Sequence, residues 1–177
     1  MPTSQTASDS ELRALAQSVA ECLIARGQTV VAAESCTGGW IAKVLTDIPG
    51  SSNWFECGVV AYSYEAKESL LGVQPHTLER HGAVSQETAV EMVSGALARY
   101  GASVAVAVTG VAGPGGGTPD KPVGRVCFCV VVRRNGEDER VVRAIDIPGS
   151  RAEVRDRSTT VALHLLRRLL MRQAVPV

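Results

Sequence analysis

The sequence predicts an α/β domain, a three-layer α/β/α sandwich with a mixed, mainly parallel sheet and a C-terminal antiparallel hairpin. Three observations carry this reading. Short β-branched runs such as "TVVAAES" and "SVAVAVTG" are apolar at consecutive positions, as strands covered on both faces are. Such runs alternate with helical stretches, the order that builds a parallel sheet with helices on either side. Asn135-Gly136 joins two further apolar runs and is the strongest short hairpin signal.

The elements follow in order. Residues 1–8 read as a mobile tail, after which Asp9 or Ser10 can cap a helix ending at Arg26. Its apolar stripe is Leu12, Leu15, Ala16, Val19 and Leu23, and Gly27 stops it. "TVVAAES" is the first strand, and Gly38-Gly39 precede a helix, "WIAKVLTDI", closed by Pro49-Gly50. "WFECGVVAYS" reads as a strand and "YEAKESLLGV" as a helix. "SQETAVEMVSGALARYGA" is a longer helix with a Ser-x-x-Glu-like start and a glycine stop. "SVAVAVTG" empties into the loop "VAGPGGGTPDKPVG", the hairpin strands are "RVCFCVVVRR" and "ERVVRAIDI", and a helix from Ser150 to Arg172 closes the chain. Val154, Val161, Leu165 and Leu169 mark one side of that helix.

At 177 residues the chain reads as one domain, 1–177, large enough to hide about 70% of its unfolded surface without a disulfide or metal staple. Lysine plus arginine and aspartate plus glutamate both number 18, which leaves no charge excess to hold a nucleic acid. The polar start "MPTSQTASDSELRALAQ" is not a secretory signal, and no run approaches the roughly 18 apolar residues of a membrane span. A cytoplasmic protein without nucleic-acid or membrane partners is expected, and a homodimer is the default assembly. Five cysteines, an odd number scattered through apolar contexts, suit free thiols in a reducing compartment.

In open α/β sheets ligands gather beyond the carboxyl ends of parallel strands, which singles out three places. The first is "AESCTGG", Ala33 to Gly39, where a strand gives way to a helix whose free N–H groups suit a phosphate or a developing oxyanion. Read alone, it is a cap and a tight turn. The second is "AYSYEAK", where Tyr62 or Lys67 could serve as the positioned base that a serine hydroxyl needs. The third is the glycine-rich loop after Thr109, in which glycine lets backbone amides approach an anion. That loop has neither the Walker A spacing nor Gly-x-Gly-x-x-Gly. Arg151 and Arg155, one helical turn apart, share a face and could clamp a phosphate or be a solvated pair. His76, His81 and His164 form no His-x3-His pair and Cys127-x-Cys129 lacks zinc spacing, so neither a metal nor a cofactor is expected.

Taken together these places resemble a known family. "AESCTGG", "PGSS", "GVVAYSYEAK", "LGV", "GAVSQETA", "VTGVAGPGGG", "KPVG" and "PGSRAEVR" stand in the order found in the CinA C-terminal-domain family, the nicotinamide-nucleotide amidohydrolases. The resemblance implies hydrolysis of the carboxamide of nicotinamide mononucleotide to nicotinate mononucleotide and ammonia, in pyridine-nucleotide salvage. It implies Ser35 as nucleophile and Tyr62 and Lys67 as its activating residues. Substrate contacts are expected from Glu34, Cys36, Thr37, Gly38, Gly39, Thr109, Gly110, Gly113, Gly115, Arg151 and Arg155. Two departures bear on substrate preference: Tyr64 stands where many members have asparagine, and Arg125 where many have threonine. The molybdopterin-binding-like domain of longer relatives is not expected here, so no pyrophosphatase activity is carried over. Two alternatives stay open, a hydrolase with Cys36 as nucleophile, since a thiol at a helix N-terminus can ionise readily, and a non-catalytic nucleotide-binding module.

Overall fold

Residues 9–172 are described by the computed structural model, so the tail expected at 1–8 lies outside the described residues. Helix α1 (Asp9–Arg26) precedes strand β1 (Val30–Glu34), and helix α2 (Trp40–Thr46) leads through a single 3₁₀ turn (Ser51–Asn53) into strand β2 (Phe55–Val60). Helices α3 (Tyr64–Leu71), α4 (Pro75–His81) and α5 (Gln86–Tyr100) follow in succession. Strands β3 (Val104–Gly110), β4 (Arg125–Arg134) and β5 (Glu137–Asp146) and helix α6 (Arg151–Met171) complete the chain.

The sheet order is β2-β1-β3-β4-β5. β1 pairs in parallel with both β2 and β3, whereas β4 is antiparallel to β3 and to β5, so only β4 runs against the rest. The expected mixed, mainly parallel sheet is therefore present. Asn135 and Gly136 both take positive φ, 52° and 84°, the geometry of the two-residue turn that matches strand twist.

Alternation along the strands divides the core in two, because successive side chains point to opposite faces. Val30 and Ala32 of β1, with Val104, Val106 and Val108 of β3, pack under α1, α2 and α6. Val31 and Ala33, with Ala105, Ala107, Cys127 and Cys129, pack under α3 and α5. The small residues on this second face let α5 lie close. α3 in turn approaches α5 so tightly that a Cβ on Gly95 would sit 1.5 Å from the Leu71 carbonyl oxygen.

Several local expectations need correction. α4 and the 3₁₀ turn were not foreseen. α5 starts as a Ser-capped helix in which Ser85 accepts from the Thr88 amide, so Thr88 rather than Glu87 takes the third position and no capping box forms there. The capping box lies instead at α6, between Ser150 and Glu153. On α6 the buried stripe runs through Val154, Leu163, Leu166 and Leu169, and Val161 and Leu165 are its half-buried flank. Among the described residues no helix is long and apolar enough to cross a membrane. All five cysteines are free, with Cys36, Cys127 and Cys129 buried and Cys22 and Cys57 only half so.

Candidate active site

Because β1, β2 and β3 are parallel, their carboxyl ends meet at one edge. The register sets Glu34 beside Val60 and Val108. Ser35, one residue past β1, donates its amide to the Val108 carbonyl at 2.9 Å, and Ala61, one residue past β2, donates to the Glu34 carbonyl at 2.8 Å. Alternation turns the Glu34 side chain toward α2 and Ser35 toward α3.

Lys67 reaches Ser35 from the α3 side. Ser63 caps α3 by accepting from the Ala66 amide, which starts the helix so that Lys67 comes back over the end of β2. Its Nζ lies 3.0 Å from Ser35 Oγ, 2.8 Å from the Ala61 carbonyl oxygen and 3.4 Å from that of Tyr62. Lys67 is 1% exposed. Burial without a carboxylate partner disfavours the charged form and lowers the Lys67 pKa to about 8. In the neutral amine two N–H groups serve the two carbonyls, and the lone pair is left for the Ser35 hydroxyl to donate to.

The turn between β1 and α2 is braced from behind. The Glu34 carboxylate, itself buried, accepts from the amides of Gly39, Ile41 and Ala42 at 3.0, 3.1 and 2.8 Å. Gly38 donates its amide to the Ser35 carbonyl. Arg155 donates from Nε to the Cys36 carbonyl at 3.1 Å and from Nη2 to the Thr37 carbonyl at 3.0 Å, with its guanidinium 5.6 Å over the Trp40 ring. The start of α2, expected to be open to an anion, is thus filled by Glu34. Among the described residues, the Cys36 and Thr37 amides are those of this turn that donate to no backbone oxygen or carboxylate, and the Cys36 amide faces its own thiol.

A cleft of about 260 Å³ opens over Ser35 and Lys67. Of the residues singled out in the sequence, Ser35, Cys36, Tyr62, Lys67, Thr109, Gly110, Gly113, Gly115 and Arg151 line it. Glu34, Thr37, Gly38, Gly39 and Arg155 do not; they hold the turn. Three of the side chains singled out have hydrogen-bond partners other than Ser35. Tyr62 shares the cleft with Ser35, and its hydroxyl accepts from Arg151 Nη2 at 2.9 Å, while Arg151 Nη1 donates to the Gly113 carbonyl at 2.9 Å. Arg155 is committed to the turn and does not form a clamp with Arg151. Thr109 spends its hydroxyl on the Ala83 carbonyl at 2.7 Å. Ala83 and Val84 complete the wall; no residue of "GAVS" had been given a role, and an apolar pair before a helix cap carries no chemical signal of its own.

Cys36 is 4% exposed, and burial pushes its thiol up to about 12. A thiol held protonated in this way is a poor nucleophile.

The chain is similar to known proteins over most of its length. Residues 12–170 match the family model described as the CinA C-terminal domain. A CinA-like protein of Mycobacterium marinum is 58% identical over 141 residues, 80% of this chain and 32% of that protein. One from Mycolicibacterium paratuberculosis is 56% identical over 152 residues, 84% of this chain and 35% of that protein. The chain therefore spans about a third of the length of these curated relatives. Among solved structures, competence/damage inducible protein CihA of Agrobacterium tumefaciens aligns with a TM-score of 0.83 at 43% identity, covering 96% of this chain and 100% of that one. Competence damage-inducible protein A of Klebsiella pneumoniae aligns with a TM-score of 0.84 at 39% identity, covering 92% and 99%.

Proposed function

The chain belongs to the CinA C-terminal domain family, and on that premise we propose that it is an amidohydrolase that converts nicotinamide mononucleotide to nicotinate mononucleotide and ammonia with Ser35 as nucleophile. The observation that carries this reading is the desolvated Lys67 amine 3.0 Å from Ser35 Oγ at the floor of a cleft. A lysine buried on a hydroxyl, with its pKa lowered to about 8, is suited to proton transfer near neutral pH. A module that merely holds a phosphate would aim a charged lysine at the anion, whereas Lys67 Nζ is engaged by Ser35 and two backbone carbonyls. The burial that pushes the Cys36 thiol up likewise favours the hydroxyl over the sulfur.

In this mechanism neutral Lys67 takes the Ser35 proton as Oγ attacks the carboxamide carbon. The tetrahedral oxyanion accepts from the amide of Cys36, which lines the cleft, a type of contact worth roughly 3 kcal/mol per donor. The Lys67 ammonium then returns its proton to the departing nitrogen, which leaves as ammonia. Water attacks the acyl-enzyme with Lys67 again as base, freeing nicotinate mononucleotide and the Ser35 hydroxyl. Arg151 at the mouth, held by Tyr62 and Gly113, faces the phosphate end of the nucleotide.

The test is ammonia release from nicotinamide mononucleotide by wild type and Ser35→Ala. Turnover in wild type and a loss of about 10³-fold or more in the variant are expected. An inactive wild type would remove the substrate, and an active Ser35→Ala would remove the nucleophile.

A further inference from the structure

Arg155 reaches the turn from α6, 118 and 119 residues away along the chain; it does not itself line the cleft, but Cys36, whose carbonyl it holds, does. What it holds are two carbonyls of the residues that follow the nucleophile. In a planar trans peptide the carbonyl and the N–H point in opposite directions. The grip on the Cys36 carbonyl therefore sends the Thr37 N–H away from α6. In the same way, the bond from the Gly38 amide to the Ser35 carbonyl turns the Cys36 N–H away from α2. Neither amide donates to a backbone oxygen or carboxylate, and of the two residues Cys36 lines the cleft.

We propose that Arg155 is a positioning residue for the oxyanion site: by holding the Cys36 and Thr37 carbonyls it fixes the turn behind Ser35 and so keeps the Cys36 amide, the one of the two on the cleft lining, aimed at the carbonyl oxygen of the reacting substrate. The proposal rests on the amidohydrolase reading above. Arginine suits the task because its flat fork meets two carbonyls at once, and the Trp40 ring beneath it limits how the fork can tilt. Glu34 fixes the other end of the turn, so the pair leaves the peptide plane little freedom.

The experiment compares wild type, Arg155→Met, Arg155→Lys and Trp40→Leu in three assays: ammonia release from nicotinamide mononucleotide, ammonia release from nicotinamide riboside, and the p-nitrophenolate burst from p-nitrophenyl acetate, with a thermal melt of each protein. Misalignment of roughly an ångström costs about 100-fold, so kcat of Arg155→Met should fall about that much on both nicotinamide substrates with KM within about twofold. The ester burst should slow in parallel, while the apparent pKa of the pH profile stays that of wild type, since Lys67 is untouched. Arg155→Lys should recover part of the loss because an ammonium reaches one carbonyl. Trp40→Leu, which keeps both hydrogen bonds, should lose only a few-fold and guards against an Arg155→Met that fails to fold.

A raised KM with unchanged kcat on the nucleotide and no effect on the riboside would make Arg155 a phosphate ligand and overturn the proposal. An ester burst as fast in Arg155→Met as in wild type would overturn it too, as would a wild type that shows no burst. A wild type that ignores both nicotinamide compounds yet shows an Arg155-dependent burst removes the assigned substrate and supports the positioning role.

Discussion

The turn after β1 and the loop after β3 leave the same edge of the sheet through glycines, yet they are built in opposite ways. In residues 34–42 nearly every polar backbone group is committed: Glu34 takes three amides, Arg155 two carbonyls and Ser35 the Gly38 amide. Residues 114–120 of the glycine loop are exposed, and the loop is tied at its ends, by Arg151 to the Gly113 carbonyl and by Lys121 to the His81 carbonyl. One exit is a fixed frame around Ser35 and the other an exposed loop tied only at its ends. Both looked like anion cradles in sequence, and the difference lies in what covers the helix end: a buried carboxylate already fills the first site.

The largest expected effect comes from removing the base at the fixed exit. Lys67→Met should lower kcat/KM by about 10³-fold or more. It should not cost stability. The folded-state pKa of Lys67, about 8, lies below its ordinary 10.5, so between these values the unfolded chain binds more protons and stability rises with pH. Below about pH 8 the protein carries the full penalty of a buried ammonium, and Lys67→Met is relieved of it. Its melting midpoint at pH 7 should equal or exceed that of wild type, and a calorimetric scan checks this.

Next in size is the brace. Glu34→Ala orphans three amides at the start of α2 and should cost about 3 kcal/mol in urea unfolding, since each stranded buried donor costs about 1 to 3. An equal loss on truncating a side chain of the glycine loop would erase the contrast.

These contacts explain what the sequence could and could not disclose. Strand runs, the Asn135-Gly136 turn and the stripe of α1 are local patterns, and they placed the layers correctly. α4 escaped because seven polar-rich residues, "PHTLERH", give no periodic signal. The Lys67 contact with Ser35 spans 32 residues and needs β1 and β2 to be neighbours. Glu34 serves backbone amides, which have no residue identity to read. The Tyr62 contact with Arg151 spans 89 residues and forms only once β2 and α6 are brought to the same cleft.

The smallest effects compare glycines of the two exits. Gly38 has φ 63°, and a Cβ there would stand 3.1 Å from Arg155 Nη2, so Gly38→Ala should lose about 1 to 2 kcal/mol. Gly115 meets nothing within 4 Å, and Gly115→Ala should stay within about 0.5 kcal/mol of wild type. Chemical denaturation of the pair reads both values, and equal costs would mean that the loop is as constrained as the turn.

The central claim is that Lys67 acts as the base on Ser35, and the pH dependence of kcat/KM for ammonia release from nicotinamide mononucleotide tests it most directly. A general base works deprotonated, so the rate should climb tenfold per pH unit on the acid side and level off above an apparent pKa of about 8. A profile flat from about pH 6 to 10, or one still rising toward the ordinary lysine value of about 10.4, would contradict it.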